Sequence, residues 1–148
     1  WQDVPRPGKG QFRLIVGRNA RHTHSHTQNN PLLHDSLPEN RAWIAPERAR
    51  ELGVEDGDTV RMERMDGKGG EIRVRVIPGM HPDAVFMLHG FGHRLPVESR
   101  ARDMGLADQE FMPGGLDRED VMVHGLALQE HFVTLRPVRN DHAREEKR

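Results

Sequence analysis

Apolar residues in this chain fall in short runs broken by glycine, proline and charge. Most runs carry the two-residue period of an extended strand. Phe12-Arg13-Leu14-Ile15-Val16 is apolar and β-branched and predicts a first strand that stops at Gly17. Ala42 to Ala45 predicts a short second one. Pro46 suits a first helical turn and Glu47 its positive end. Ala49 and Leu52 give that helix an apolar side, and Gly53 can take the left-handed position that ends it. Asp56-Gly57 turns into a strand over Thr59 to Arg64, and Asp66 to Gly70 reads as a hairpin loop. The return strand alternates, with Ile72, Val74 and Val76 on one face and Glu71, Arg73 and Arg75 on the other. After the Pro78-Gly79 turn, Ala84 to Leu88 predicts a buried strand. His131 to Val138 predicts the last one, with Phe132 or Val133 turned inward.

Between these elements the pattern lapses. Residues 18–41 are polar and read as irregular, with a turn signal at Asn29-Asn30-Pro31. Residues 94–127 form a long stretch, with Pro96, Pro113 and Gly114-Gly115, of the kind that is functional or supported by another domain. Met104-Gly105-Leu106 is the place in it for a helical turn. Residues 1–11 read as a leading linker, 12–138 as the domain, and 139–148 as a charged, frayed tail. Six or more short strands and one short helix favour a small closed β-barrel over a sandwich, because closure removes exposed edges.

Composition narrows the picture. The 148 residues suffice for one domain with a core. Only 34% are hydrophobic, so the core is expected to be small and the polar loops to draw order from a ligand or a larger protein. With 22 Lys+Arg against 23 Asp+Glu, no basic surface for nucleic acid is indicated. The longest apolar run, Ala84 to Leu88, is far too short to span a bilayer, so no membrane insertion is expected. No signal peptide is visible, and a chain opening on Trp1 is expected to come from a longer polypeptide. The absence of cysteine excludes disulfides, thiolate metal sites, an iron–sulfur cluster and a thiol nucleophile within this chain.

Two segments carry candidate chemistry. Arg18 to Asn30, following the first strand, offers guanidinium, imidazole, hydroxyl and amide groups within thirteen residues. That set suits a ligand with phosphates and hydrogen-bonding rings. It equally composes a polar surface loop. His22, His24 and His26 would share one face if extended, and imidazole suits Zn, Cu or Ni, so a His-rich metal-binding domain is an alternative. The second segment is His89-Gly90-Phe91-Gly92-His93, at the end of a buried strand. Its glycines allow close backbone approach, and its rings can bond and stack on a heterocycle. A plain glycine turn is the other reading. There is no phosphate loop or dinucleotide fingerprint. Nothing in the sequence marks Ser25 or Ser99 as a strained nucleophile elbow.

Gly17-Arg18 followed by His22-Thr23-His24-Ser25-His26-Thr27-Gln28-Asn29-Asn30-Pro31-Leu32-Leu33 resembles the opening of the molybdopterin-dinucleotide-binding domain. That domain ends catalytic subunits of the dimethyl-sulfoxide-reductase superfamily. The Asn-Asn-Pro-Leu ending looks most like thiosulfate, polysulfide and tetrathionate reductases. Glu39 to Ile44, Ala49, Leu52 to Val54 and Asp56 to Val60 are similar to the family's strand–helix–strand unit. Pro82 to Val85 leading into His89-Gly90-Phe91-Gly92 is similar to its pterin-approaching loop.

The resemblance implies a mainly β fold, a double-psi β-barrel with one or two short helices and long loops. It implies cofactor contacts from Gly17, Arg18, His22, Thr23, Ser25, Thr27, Gln28, Asn29, His89, Gly90 and Phe91. Downstream, Asp108 and Gln129 are the best matches, with Gln109 and His131 beside them, although 109–130 lacks the family's Asp-Pro-Ile segment. The implied cofactor is molybdenum bis(molybdopterin guanine dinucleotide), with an iron–sulfur cluster elsewhere in the full subunit. The implied reaction is two-electron oxygen or sulfur atom transfer. Expected partners are the rest of the catalytic subunit and an iron–sulfur electron-transfer subunit, and the expected compartment is the periplasm. A barrel acting only as an interaction module is the remaining alternative.

Overall fold

A computed structural model describes residues 5–94, 96–112 and 131–138. Among these residues six strands close into one barrel. They are β1 (Gln11–Gly17), β2 (Ala42–Ile44), β3 (Thr59–Arg64), β4 (Gly69–Val76), β5 (Ala84–Leu88) and β6 (His131–Pro137). Around the barrel the order is β1-β5-β2-β4-β3-β6, and β6 returns to β1. Two pairings are parallel, β1 with β5 and β2 with β4, and the rest are antiparallel. Closure with crossover connections bears out the mainly β, double-psi barrel that the sequence implied. Among the described residues no helix is long and apolar enough to cross a membrane.

Alternation decides which side chains enter the barrel. Phe12 and Leu14 of β1, Val60 and Met62 of β3, Ile72 and Val74 of β4, and Val133 and Leu135 of β6 are all buried. Val85 and Met87 of β5 join them, and Phe111 fills the space from a 3-10 turn. Burying each such side chain contributes roughly 1.5–3 kcal/mol, which makes this cluster the main favourable term in folding. Val133, not Phe132, is the inward residue of β6. Phe132 is half-buried on the outside, with the Arg13 guanidinium 5.2 Å from its ring centroid.

Among the described residues two short helices flank the strands. The second, α2 (Pro46–Leu52), forms where the sequence places it and ends on Gly53, with φ 68°. Alanine at Gly53 is expected to cost about 1 kcal/mol, the penalty for a Cβ in the left-handed region. A urea titration should show a lower midpoint with an unchanged slope. The first helix, α1 (Pro31–Ser36), lies within the stretch expected to be irregular. Its start is the Asn-Asn-Pro turn signal itself. The Asn30 side chain accepts from Leu32 and Leu33 N–H, and Pro31 stands at the first helical position. No residue of α1 is buried.

The helical turn expected at Met104 to Leu106 is displaced to a 3-10 turn over Asp108–Phe111. Gly105 has φ 72°, and Leu106 gives both its N–H and its carbonyl to the buried Asn40 side chain, so neither is left for a helix.

Candidate functional site

The parallel pairing of β1 with β5 builds the site. Parallel strands deliver their C-terminal ends to the same rim of a barrel. Here Gly17 is in register with Leu88, and His89 N–H donates to the Gly17 carbonyl at 2.8 Å. The polar run that begins at Arg18 and the His-Gly-Phe-Gly-His loop therefore leave the barrel side by side. Four contacts then join them. Gln28 Nε2 donates to the Gly90 carbonyl. The His22 ring meets Phe91 edge-on, with centroids 5.7 Å apart. The His24 ring meets His89 edge-on at 5.2 Å. Gly90, at φ 94°, presses so close to His24 that an added Cβ would sit 2.9 Å from the His24 carbonyl carbon.

A third segment completes the rim. The Asp108 side chain is only 3% exposed. One of its oxygens accepts from His89 Nδ1 at 2.8 Å and the other from Gly90 N–H at 3.2 Å. Behind it lies Asn40, 1% exposed, which donates to the carbonyls of Leu88 and Leu106 and accepts from Leu106 N–H, at 2.8–2.9 Å. Asn40 thus ties the end of β5 to the 104–108 segment. Sequence reading passed over it, because a lone Asn before a strand carries no signal of what it will bond.

The expected site residues divide into two groups. Some are turned inward. His22 is buried, with Nε2 on the Leu37 carbonyl at 2.9 Å and Nδ1 on Thr27 Oγ1 at 3.2 Å. Thr27 Oγ1 also accepts from Thr23 N–H at 3.0 Å. A carbonyl only accepts, so Nε2 carries the proton and His22 acts as a brace within its own loop. Gly17 lies against Phe86, whose ring would be 2.5 Å from an added Cβ, and Phe86 in turn packs on Trp43. Phe91 is buried.

The other group faces outward. Arg18, Thr23 and Asn29 are exposed and Ser25 is half-buried. Asn29 uses its Oδ1 to accept from Ala101 N–H at 3.0 Å, which leaves its amide N–H groups on the rim. Arg18 makes no ion pair among the described residues. His89 keeps 28% of its side chain exposed. Gln129 falls outside the described residues.

The extended arrangement that would align His22, His24 and His26 does not form. Residues 24–29 are a run of turns, and His24 itself has φ 50°. Among the described residues no group of three or more His, Asp or Glu side chains is placed to hold a metal ion.

The donor set fits a phosphorylated, ring-bearing ligand. A guanidinium with no ion pair among the described residues, hydroxyls, an amide and an outward imidazole lie on the two segments that leave this rim. Gln28 Oε1 is buried without a hydrogen-bond partner among the described residues, an acceptor left incomplete where the two loops meet. Such a group is costly unless something donates to it.

Comparison with known proteins identifies the family. Residues 12–110 match the family model of the molydopterin (that is, molybdopterin) dinucleotide binding domain. Over 105 residues the chain is 31% identical to the thiosulfate reductase molybdopterin-containing subunit PhsA of Salmonella typhimurium, covering 71% of this chain and 14% of that protein. Its fold superposes on acetylene hydratase from Pelobacter acetylenicus with a TM-score of 0.73 at 15% identity, over 88% of this chain and 19% of that one. In both cases the chain spans a minor part of the relative's length, and the second likeness is one of fold. The chain belongs to the molybdopterin dinucleotide-binding domain family of the dimethyl-sulfoxide-reductase superfamily.

Proposed function

We propose that this domain holds molybdopterin guanine dinucleotide within the catalytic subunit of a molybdenum oxidoreductase that acts on a sulfur or arsenic oxyanion or polysulfide. The observation that carries the proposal is the single rim shared by the polar run after β1 and the loop after β5. Arg18 neutralises a phosphate. Thr23, Ser25 and Asn29 bond ribose and rings, and His89 meets the pterin. His22, Thr27 and Gln28 hold the loops in shape behind them. When bound, the metal and its pterins supply two-electron oxygen or sulfur atom transfer, and the protein supplies orientation and charge. The likeness to a thiosulfate reductase subunit supports the sulfur-directed reading. By the same reading an iron–sulfur cluster lies elsewhere in the subunit, an iron–sulfur protein delivers electrons, and the enzyme works in the periplasm.

Arg18→Ala in the full catalytic subunit is the direct test. A charge-assisted bond to phosphate contributes roughly 1.5–3 kcal/mol, so affinity should fall by about one to two orders of magnitude. Molybdenum and guanine nucleotide released from the purified variant should drop accordingly, with the fold unchanged by circular dichroism. Full cofactor content in that variant would mean the rim serves something else.

The 148-residue chain alone is expected to be inert, since it has no cysteine for a cluster or a thiolate ligand. Reduced dye and thiosulfate mixed with it should show no turnover, and measurable turnover would contradict this assignment of roles.

A further inference from the structure

We infer that Asp108 is a positioning residue that fixes the tautomer of His89, so that His89 presents a bare Nε2 to the rim as a hydrogen-bond acceptor. Asp108 was expected to touch the cofactor itself. Instead its carboxylate is buried and both its oxygens are engaged from within. Gly90 N–H donates to Oδ1 at 3.2 Å, and His89 Nδ1 lies 2.8 Å from Oδ2. A carboxylate accepts and does not donate, so this bond requires the His89 proton on Nδ1. In the neutral ring that leaves Nε2 with its lone pair. Nε2 makes no hydrogen bond among the described residues, and the ring it belongs to is the outward part of the pair.

The surroundings hold this arrangement rigidly. Asp108 opens the 3-10 turn that Phe111, fully buried, anchors in the barrel. Leu106, two residues earlier, is bonded twice to Asn40. His89 is fixed at its backbone by the Gly17 carbonyl and at its ring edge by His24. These contacts on both sides oppose any swing that would offer His89 a different bond.

An acceptor at Nε2 selects for a donor on the ligand, an N–H or amino group of a heterocycle or a hydroxyl. That second step rests on the binding proposal above. The tautomer does not, so the two can fail separately.

Long-range proton–nitrogen NMR of the nitrogen-15-labelled chain, at about two pH units above the ordinary imidazole value, reads the tautomer directly. His89→Gln assigns the signals. The wild type should show His89 Nδ1 protonated and Nε2 bare. Asp108→Asn should reverse them. Its amide oxygen stays on Gly90 N–H, its N–H groups turn to Nδ1, and the ring proton must move to Nε2. A purely packing role for Asp108 would leave the pattern unchanged in the variant and would overturn the inference. So would a wild-type spectrum with a proton on Nε2, a result that decides the matter even if Asp108→Asn does not fold. Cofactor content in the Arg18→Ala subunit reports on the binding proposal independently.

Discussion

Asn40→Ala is expected to remove about 3–5 kcal/mol of stability, a large share of the roughly 5–15 kcal/mol available to a domain. The reason is the number of groups one side chain satisfies. Asn40 is 1% exposed and bonds the carbonyls of Leu88 and Leu106 and the N–H of Leu106. Truncation removes the Asn40 partner from all three backbone groups, at roughly 1–3 kcal/mol for each that neither water nor another group then satisfies. Asn40→Asp keeps the acceptor for Leu106 N–H but turns a carboxylate oxygen toward two carbonyls, and should be at least as harmful. Urea unfolding followed by tryptophan fluorescence measures both, since Trp43 sits on the neighbouring strand. A loss below about 1 kcal/mol for the alanine variant would show that the three groups find other partners.

Gly92→Ala is expected to be the most damaging glycine substitution at the rim. Two penalties combine there. Gly92 has φ 76°, where any Cβ costs roughly 1–2 kcal/mol. Its added Cβ would also lie 2.2 Å from Ala107 N and 2.6 Å from the Leu106 carbonyl carbon, which are backbone atoms with no rotamer to escape into. The 89–93 loop would have to separate from the 104–108 segment. That separation breaks the Gly92 N–H bond to Met104 and pulls His89 from Asp108. Gly79→Ala isolates the first penalty, because Gly79 has φ 89° with nothing among the described residues within 4 Å of an added Cβ. The Gly79 variant should lose about 1–2 kcal/mol and keep its cofactor in the full subunit. The Gly92 variant should lose roughly 3 kcal/mol or more and its cofactor with it. Equal losses for the two would remove the close contact from the account.

Much of this design was legible in the chain. The strands announced themselves because period-2 alternation needs only local information. Val74 alternates with Arg73 and Arg75 whatever β4 is paired to. The stop of α2 at Gly53 was equally local, a residue free to take φ 68°. The same is true of the start of α1, which Asn30 and Pro31 encode, although their turn signal reads as a loop when the helix behind it is only six residues long.

The candidate site was legible as two segments but not as an arrangement of roles. Residues 18–30 and 89–93 carry the right groups, yet nothing in their order says that His22 and Gln28 turn inward while Arg18 and His89 face out. Asp108 could be matched by position to a family pattern, but its burial and its two bonds to the loop after β5 depend on where Phe111 and Asn40 hold it.

By itself, then, the sequence determined the strands, the helix ending at Gly53, most inward faces and the kinds of groups available to a ligand, because each depends on neighbours a few residues away. Which groups meet was decided only in three dimensions. The parallel register of Gly17 with Leu88 brings together segments some seventy residues apart along the chain, and a hydrogen bond such as Gln28 to Gly90 exists only once both strands have closed the barrel.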